Sequence, residues 1–394
     1  MLSLIPLFYL AQFWNGTFFQ IPVKIDFQQG FLTYVQMGLI QGAAGLLAII
    51  LQLPTGALAD SWGRRKTVIV GYIIAGICAA CNGLLPNPLS FLCTMMMWTL
   101  GTTMISGADT AFLFDSLKKR NKAHQFGTVN AYGILIYRIG MIIAMASGGY
   151  LFLINHSLPY IFRGATYFLA ASAFIYMKGS EPTHKKLTFG LYKKRLVDGV
   201  TSLFANRFVA LFSLYYILVA GLTWTVLFYY MNTLAYDVGY SPSEQGILFA
   251  GIYIVTTLIL LWITTKIKHI PEHVILIGFP VLMILGFLPG IMLSKHTAIV
   301  SLCILILVGG ARFTILDAIL NRHLESTHRA TALSGLNLFV TLLSSLIVAG
   351  FGTVQQTYLT TTVFTILGII SALALAPITF QLVREMRLAD SLQG

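Results

Sequence analysis

Apolar runs recur from one end of this 394-residue chain to the other. Each has about 20 residues, long enough to cross a bilayer as a helix. That feature constrains the fold more than any motif does. Inside lipid a backbone N–H or C=O finds no water, so the spans must be helices or a closed barrel. The strand-type alternation of a barrel is absent from the sequence. Only 10% of the residues are charged, against roughly 25% in a soluble domain. The net charge of +12 does not point to nucleic acid. Its cations sit in short turns between apolar runs, not in a patch on a soluble surface.

Twelve spans are expected, at about 2–23, 34–58, 67–86, 89–117, 127–153, 159–177, 206–232, 243–265, 273–293, 297–320, 330–352 and 357–383. The first has neither a basic leader nor an A-x-A site, so it is read as a retained span. The fold class is therefore all-α integral membrane, with twelve transmembrane helices in two pseudo-symmetric six-helix bundles. The bundles are 1–177 and 206–394, joined by a cytoplasmic linker at 178–205. Within the linker, FGLYKKRLVDGVTSLF has the pattern of an amphipathic helix at the membrane surface. If the spans alternate, 20 of the 25 lysines and arginines fall on one side. The positive-inside rule makes that side the cytoplasm, with both termini in it. The expected location is the cell inner membrane.

The two halves resemble each other at a nearly constant offset. TVIVGY (67–72) matches VILIGF (274–279), GADTAFLFD (107–115) matches GARFTILD (310–317), and HQFGTVNAYG (124–133) matches HRATALSGLN (328–337). A duplicated six-span unit is typical of secondary transporters, with the substrate site near the midplane between repeats. The turn after the second span reads Gly56-x-x-x-Asp60-x-x-Gly63-Arg64-Arg65-Lys66. Gly56 would admit a close helix neighbour, and Gly63 a tight turn. Asp60 would favour the N-terminus of the third span, and the cations would anchor the turn in the cytoplasm.

This motif, between the second and third of twelve spans, resembles the signature of the major facilitator superfamily. The resemblance implies a cytoplasmic gate in which Asp60 meets the start of span eleven near Ala330 and Arg64 pairs with Asp115. Ser61 stands where the family usually has a basic residue, and the second half carries no good copy of the motif. The span-five stretch Gly140-MII-Ala144-Met145-AS-Gly148-Gly149 keeps the small residues of an antiporter motif of that family without its proline.

An ionisable residue inside a span is costly and needs a reason. Asp109 lies ~12 Å deep and Arg138 ~16 Å deep at 1.5 Å per residue. Arg312 holds the repeat-equivalent place of Asp109. Three readings of Asp109 stand side by side. It can form a strut with Arg138, a lock with Arg312 that opens and closes, or a proton site. Polar and aromatic residues mark a candidate substrate cavity. These are Gln12, Trp14, Asn15 and Phe19 on span one, Trp98 on span four, and Trp224, Phe228 and Tyr229 on span seven.

The function expected is secondary active transport of a small solute by alternating access, foremost proton-coupled efflux of an amphipathic compound. Proton-coupled uptake or facilitated passage of a small metabolite is the alternative, and a non-transporting membrane sensor or scaffold is the alternative from another class. No enzyme, cofactor or metal is expected. The sequence has no Gly-rich nucleotide loop, nucleophile–base pair or metal-ligand spacing, and Cys78-x-x-Cys81 reads as two small buried hydrophobes. The expected partners are a small-molecule substrate, the lipid bilayer and protons, with no nucleic acid and a monomeric state.

Overall fold

The computed structural model describes residues 4–178, 197, 200–204, 206–267, 270–324 and 329–393. Among these every regular element is helical. The linker helix suggested by FGLYKKRLVDGVTSLF lies largely outside the described residues.

The elements of the first half are α1 (Leu4–Gly16), α2 (Lys24–Gln28), α3 (Tyr34–Trp62), α4 (Arg64–Leu84), α5 (Pro88–Ile105), α6 (Ala108–Lys118), α7 (Phe126–Ile154) and α8 (Leu158–Tyr176). The second half holds α9 (Arg207–Thr225), a π-helical turn (Val226–Tyr230), α10 (Met231–Asp237), α11 (Pro242–Lys266) and α12 (Glu272–Phe287). It ends with α13 (Lys295–Thr314), α14 (Leu316–His323), α15 (Arg329–Gly350) and α16 (Gly352–Gln393). Ten helical segments among the described residues are long and apolar enough to cross a membrane. The two remaining spans of the predicted twelve are shorter. Span one stops as an α-helix at Gly16 after 13 residues and ends in a 3₁₀ turn, Ile21–Val23, with α2 following it. Span nine is the 16-residue α12.

The chain divides into two compact units. The first comprises Met1–Thr33, Ala43–Phe189 and Ser241–Gly251. The second comprises Tyr34–Gly42, Gly190–Tyr240 and Ile252–Gly394. In the first, α4 packs on α5 and α8, while α1 packs on α7 and α8. In the second, α12 packs on α13 and α16, while α9 packs on α15 and α16. Each pairing of the first unit recurs in the second with every span advanced by six, which is what a duplicated six-helix unit requires.

Small residues set the spacing of these helices. A Cβ on Gly71 would sit 2.6 Å from the Gly101 carbonyl, and one on Gly101 would sit 2.7 Å from the Gly71 carbonyl. The α4 and α5 backbones therefore touch, as lipid-embedded helices without a hydrophobic driving force must do to gain packing. The small residues of the span-five stretch act in the same way. Gly140 and Gly148 lie against the carbonyls of Phe13 and Phe19.

Beyond span one, the short helix α2 carries a half-buried carboxylate. Gln245 Nε2 donates to Asp26 Oδ2 at 2.9 Å within the first unit. Burial pushes the Asp26 carboxyl up to about 6, against the opposing effect of the Gln245 bond. The folded protein therefore holds this proton more tightly than the unfolded chain. The associated stability is complete below the unfolded value of roughly 4 and is lost as pH rises through 6. Asp26→Asn keeps an acceptor for Gln245 and removes the titration. Its thermal midpoint in detergent is expected to exceed wild type at pH 7.5, by no more than ~2 kcal/mol for a half-buried group, and to converge on wild type towards pH 4. A constant difference across that range would exclude Asp26 as the titrating group.

Candidate functional site

The turn after span two is tied down by its two arginines. Gly63 opens α4 with φ 112°, a conformation L side chains rarely adopt. Arg64 Nη1 donates to Asp115 Oδ2 at 2.5 Å and to the Ala111 carbonyl at 3.2 Å, both on α6. Its Nε and Nη2 reach Asp60 Oδ1 at 3.3 and 3.2 Å. Arg65 Nε donates to the Phe174 carbonyl at 2.8 Å, and Nη2 to that of Ile175. These are among the last carbonyls of α8, left without intrahelical partners and attractive to a cation. Lys66 is exposed.

Two expectations for this turn are corrected. Asp60 lies within the last turn of α3, not at the start of α4, so Arg64 and not a helix N-terminus balances its charge. A Cβ on Gly56 would meet nothing within 4 Å among the described residues, so this glycine permits no close approach here. The side chains at the start of α15, near Ala330, lie outside the described residues.

The centre of the first unit is built on two interrupted spans. Span one breaks after Gly16, and span four breaks at Ser106–Gly107, where Gly107 has φ 77°. Asp109 thus stands in the first turn of α6, buried, with Oδ1 accepting from the Thr110 N–H at 2.7 Å. Gln12 Nε2 donates to Oδ2 at 3.1 Å. Within this unit the carboxylate is held by amides and not by Arg138, so the strut reading does not describe the geometry. Arg138 is half-buried on α7.

The break in span one has a partner that sequence reasoning placed only near a membrane edge. Arg163 on α8 is 0% exposed. Its Nη1 donates to the carbonyls of Trp14, Asn15 and Thr17 at 3.2, 3.0 and 3.1 Å. Its guanidinium lies 3.9 Å from the Phe18 ring centre and 3.7 Å from that of Tyr167. Trp98 Nε1 in turn donates to Tyr167 Oη at 3.1 Å. The signal in the sequence was a cation within an apolar run with an aromatic residue four positions on, one helical turn away.

Because of these breaks, the expected cavity residues of spans one and four do not lie along single continuous helices, on which residues three, four or eleven positions apart would share a face. Gln12 and Phe19 do not lie on one continuous helix. Gln12 bonds to Asp109, while the Phe19 ring packs on Phe162 at 5.8 Å. Trp14 and Asn15 take part through their carbonyls. Trp98 and Asp109 are separated by the kink at Gly107, which removes the shared face that an unbroken helix would give.

In the second unit, span seven carries the π-helical turn at Val226–Tyr230, an irregularity frequent at functional sites. Trp224 and Phe228 pack with ring centres 4.4 Å apart, and Tyr229 is buried in the turn. Arg312 on α13 is 1% exposed. Its guanidinium lies 4.1 Å from the Phe313 ring, 5.0 Å from Trp224 and 5.7 Å from Tyr216. Tyr216 Oη donates to Asp317 Oδ1 at 2.7 Å. A further cluster that sequence reasoning missed joins Tyr34, Asp237 and Thr360. Asp237 accepts from Tyr34 Oη at 2.5 Å, from the Thr360 N–H at 2.7 Å and from Thr360 Oγ1 at 2.5 Å. It holds the chain beside Leu359, whose φ of 66° is rare for a leucine. No group of three or more metal-ligating side chains exists among the described residues.

The paired bundles, the basic turn and the buried charges define a polytopic membrane transporter. Residues 7–349 match the sequence model of the Major Facilitator Superfamily, and the chain belongs to that family. The quinolone resistance protein NorA of Staphylococcus aureus is 26% identical over 220 residues, 56% of this chain and 55% of NorA. The chain thus aligns with about half the length of that curated relative. The uncharacterized transporter BU466 of Buchnera aphidicola is 23% identical over 300 residues, 73% of this chain and 72% of its own. The crystal structure of the nucleoside transporter NupG superposes with a TM-score of 0.75 at 16% identity, over 96% of this chain and 98% of that one. At that identity the likeness concerns the fold.

Removing Arg163 would leave the Asn15 carbonyl without a donor among the described residues. It would take one of several donors from Trp14 and Thr17, whose carbonyls keep the Thr17 N–H and hydroxyl and the Phe19 N–H. Arg163→Gln is expected to destabilise the folded protein by roughly 1–3 kcal/mol, the cost of an unsatisfied buried acceptor, read as a lowered thermal midpoint in detergent. A midpoint within about 1 kcal/mol of wild type would show that the break holds without the guanidinium.

Proposed function

We propose that this transporter exports a small amphipathic compound from the cytoplasm in exchange for protons, by alternating access between residues 1–177 and 206–394. It would act as a monomer in the cell inner membrane with both termini inside. The observation that carries the reading is the Asp109 carboxylate, buried beside a broken span and held by amides. A charge in that position is costly unless neutralised, and a proton is the smallest group that neutralises it. The Gln12 amide can rotate to accept from the protonated form or donate to the ionised one, so both states keep a hydrogen bond. Kinked, interrupted spans at the centre of a repeat are where secondary transporters place substrate and coupling ions. Sequence similarity to NorA, named for quinolone resistance, supports export over uptake. The Arg64–Asp115 and Arg65–Phe174 ties would belong to the cytoplasmic gate.

Purified protein in proteoliposomes with an imposed pH gradient tests this directly. Wild type is expected to move a fluorescent amphipathic dye against its gradient at the expense of protons. Asp109→Asn should lose at least ~90% of the proton-driven flux, as expected when a group required for coupling is removed, while retaining dye binding. Equal gradient-driven flux in both proteins would sink the role of Asp109. Dye movement that follows only its own gradient in wild type would favour facilitated passage of a solute over exchange.

A further inference from the structure

Arg312 is a buried charge of the second unit without a close ion pair among the described residues. Its guanidinium is 1% exposed, and no carboxylate among the described residues pairs with it within 4 Å. Nε and Nη1 have no hydrogen-bond partner among the described residues. Asp317 attracts the guanidinium while one of its oxygens accepts from Tyr216, whose side chain also bonds the guanidinium. Around the guanidinium stand the rings of Phe313, Trp224 and Tyr216. Rings soften the burial of a cation but do not cancel its charge. Trp224 leads on to Phe228, which is 49% exposed, and Phe313 is 47% exposed. The aromatic cluster therefore runs from the surface of the unit to the buried guanidinium. The π-helical turn that presents Phe228 is a place where an α-helix yields readily.

From this juxtaposition we infer that Arg312 is the anchor for an anionic group, and that the exported compounds include aromatic carboxylates. The inference rests on the proposed transport of amphipathic compounds and narrows that class. A guanidinium presents a planar fork of N–H donors to a carboxylate. Here its members without a partner among the described residues, Nε and Nη1, lie on different edges and would each donate one hydrogen bond to an anionic oxygen. The surrounding rings would take the aromatic body of the ligand by stacking and edge contact. A purely cationic solute is disfavoured, because the rings already face a cation and the site carries its own positive charge.

The test uses the full chain in detergent and reads intrinsic tryptophan fluorescence, with Trp224 as the reporter beside the site. The probes are 1-naphthoate and its methyl ester, which share a ring system and differ in charge. Wild type is expected to bind naphthoate about tenfold more tightly than the ester. Arg312→Gln should abolish that preference while leaving ester binding within about twofold. Arg312→Lys keeps the charge without the fork and should retain a preference reduced by about fivefold. It also serves if the glutamine variant does not elute as a folded, monodisperse protein. Equal binding of the two probes by wild type, or an undiminished preference in either folded variant, would overturn the inference. Because the assay needs no pH gradient, it fails independently of the proton-exchange reading. Absence of the carboxylate preference in wild type alongside intact proton-driven dye export would remove the anion site and leave the exporter.

Discussion

The first unit depends on one guanidinium nitrogen donating to three backbone carbonyls. Where span one stops at Gly16, the Thr17, Phe18 and Phe19 N–H groups serve the carbonyls of Trp14, Gly16 and Thr17, but that of Asn15 would carry the full cost of an unmade hydrogen bond. Arg163 meets the Trp14, Asn15 and Thr17 carbonyls from α8, with its flat faces covered by Phe18 and Tyr167. Half-helix C-termini in transporters commonly face a bound cation; here the cation is part of the chain. The consequence extends to the chemistry. With the end of α1 fixed, Gln12, one turn back from the break, is held where its amide reaches Asp109. Trp98 closes the same network through Tyr167, so α1, α5, α6 and α8 all bear on one buried carboxylate.

The class of fold was legible in the sequence because it follows from hydropathy and length, which are summed over many residues. The interior of the spans was less legible, and for a definite reason. Apolar content says that a segment is buried, but it does not say where the i to i−4 ladder stops. Gly16, the weak helix formers Thr17, Phe18 and Phe19, and Pro22 are local signs of a stop, but they are outweighed in a reading by hydropathy, which runs unbroken across them. What the local sequence could not show is the partner of the break, Arg163, about 150 residues further along the chain. The break in span four carried a local sign, the Ser106–Gly107 pair, but a glycine inside an apolar run more often serves close packing, as Gly71 and Gly101 do here. Once both breaks exist, face assignments that assume 3.6 residues per turn across them fail. For that reason Phe19 and Trp98 part company with Gln12 and Asp109.

The basic turn shows the opposite balance. Its residue types, spacing and position pointed to a tight, charged connection, and local geometry accounts for the use of Gly63, Arg64 and Arg65. What spacing could not supply was the side of the turn on which Asp60 falls. One residue before or after a helix boundary changes the sign of the helix-end field that a carboxylate experiences. Asp60 falls on the unfavourable side, and the adjacent Arg64 offsets it.

Duplication explains why the two units share their helix pairings yet differ in their charges. Packing pattern is carried by small and apolar residues spread over whole spans, so it survives extensive substitution. A buried charge is a single position and must be balanced locally. At repeat-equivalent places the first unit has Asp109 and the second Arg312. The first is balanced by amide donors and the second by aromatic faces. Among the described residues Asp109 has amide partners and no close cation, and Arg312 has only the attraction of Asp317, which it shares with Tyr216. In a soluble core that would be a defect. In a carrier it is what a cargo of opposite sign, a proton at the carboxylate and an anion at the guanidinium, would complete. A fully compensated pair of sites would be more stable and would have less to offer a migrating charge.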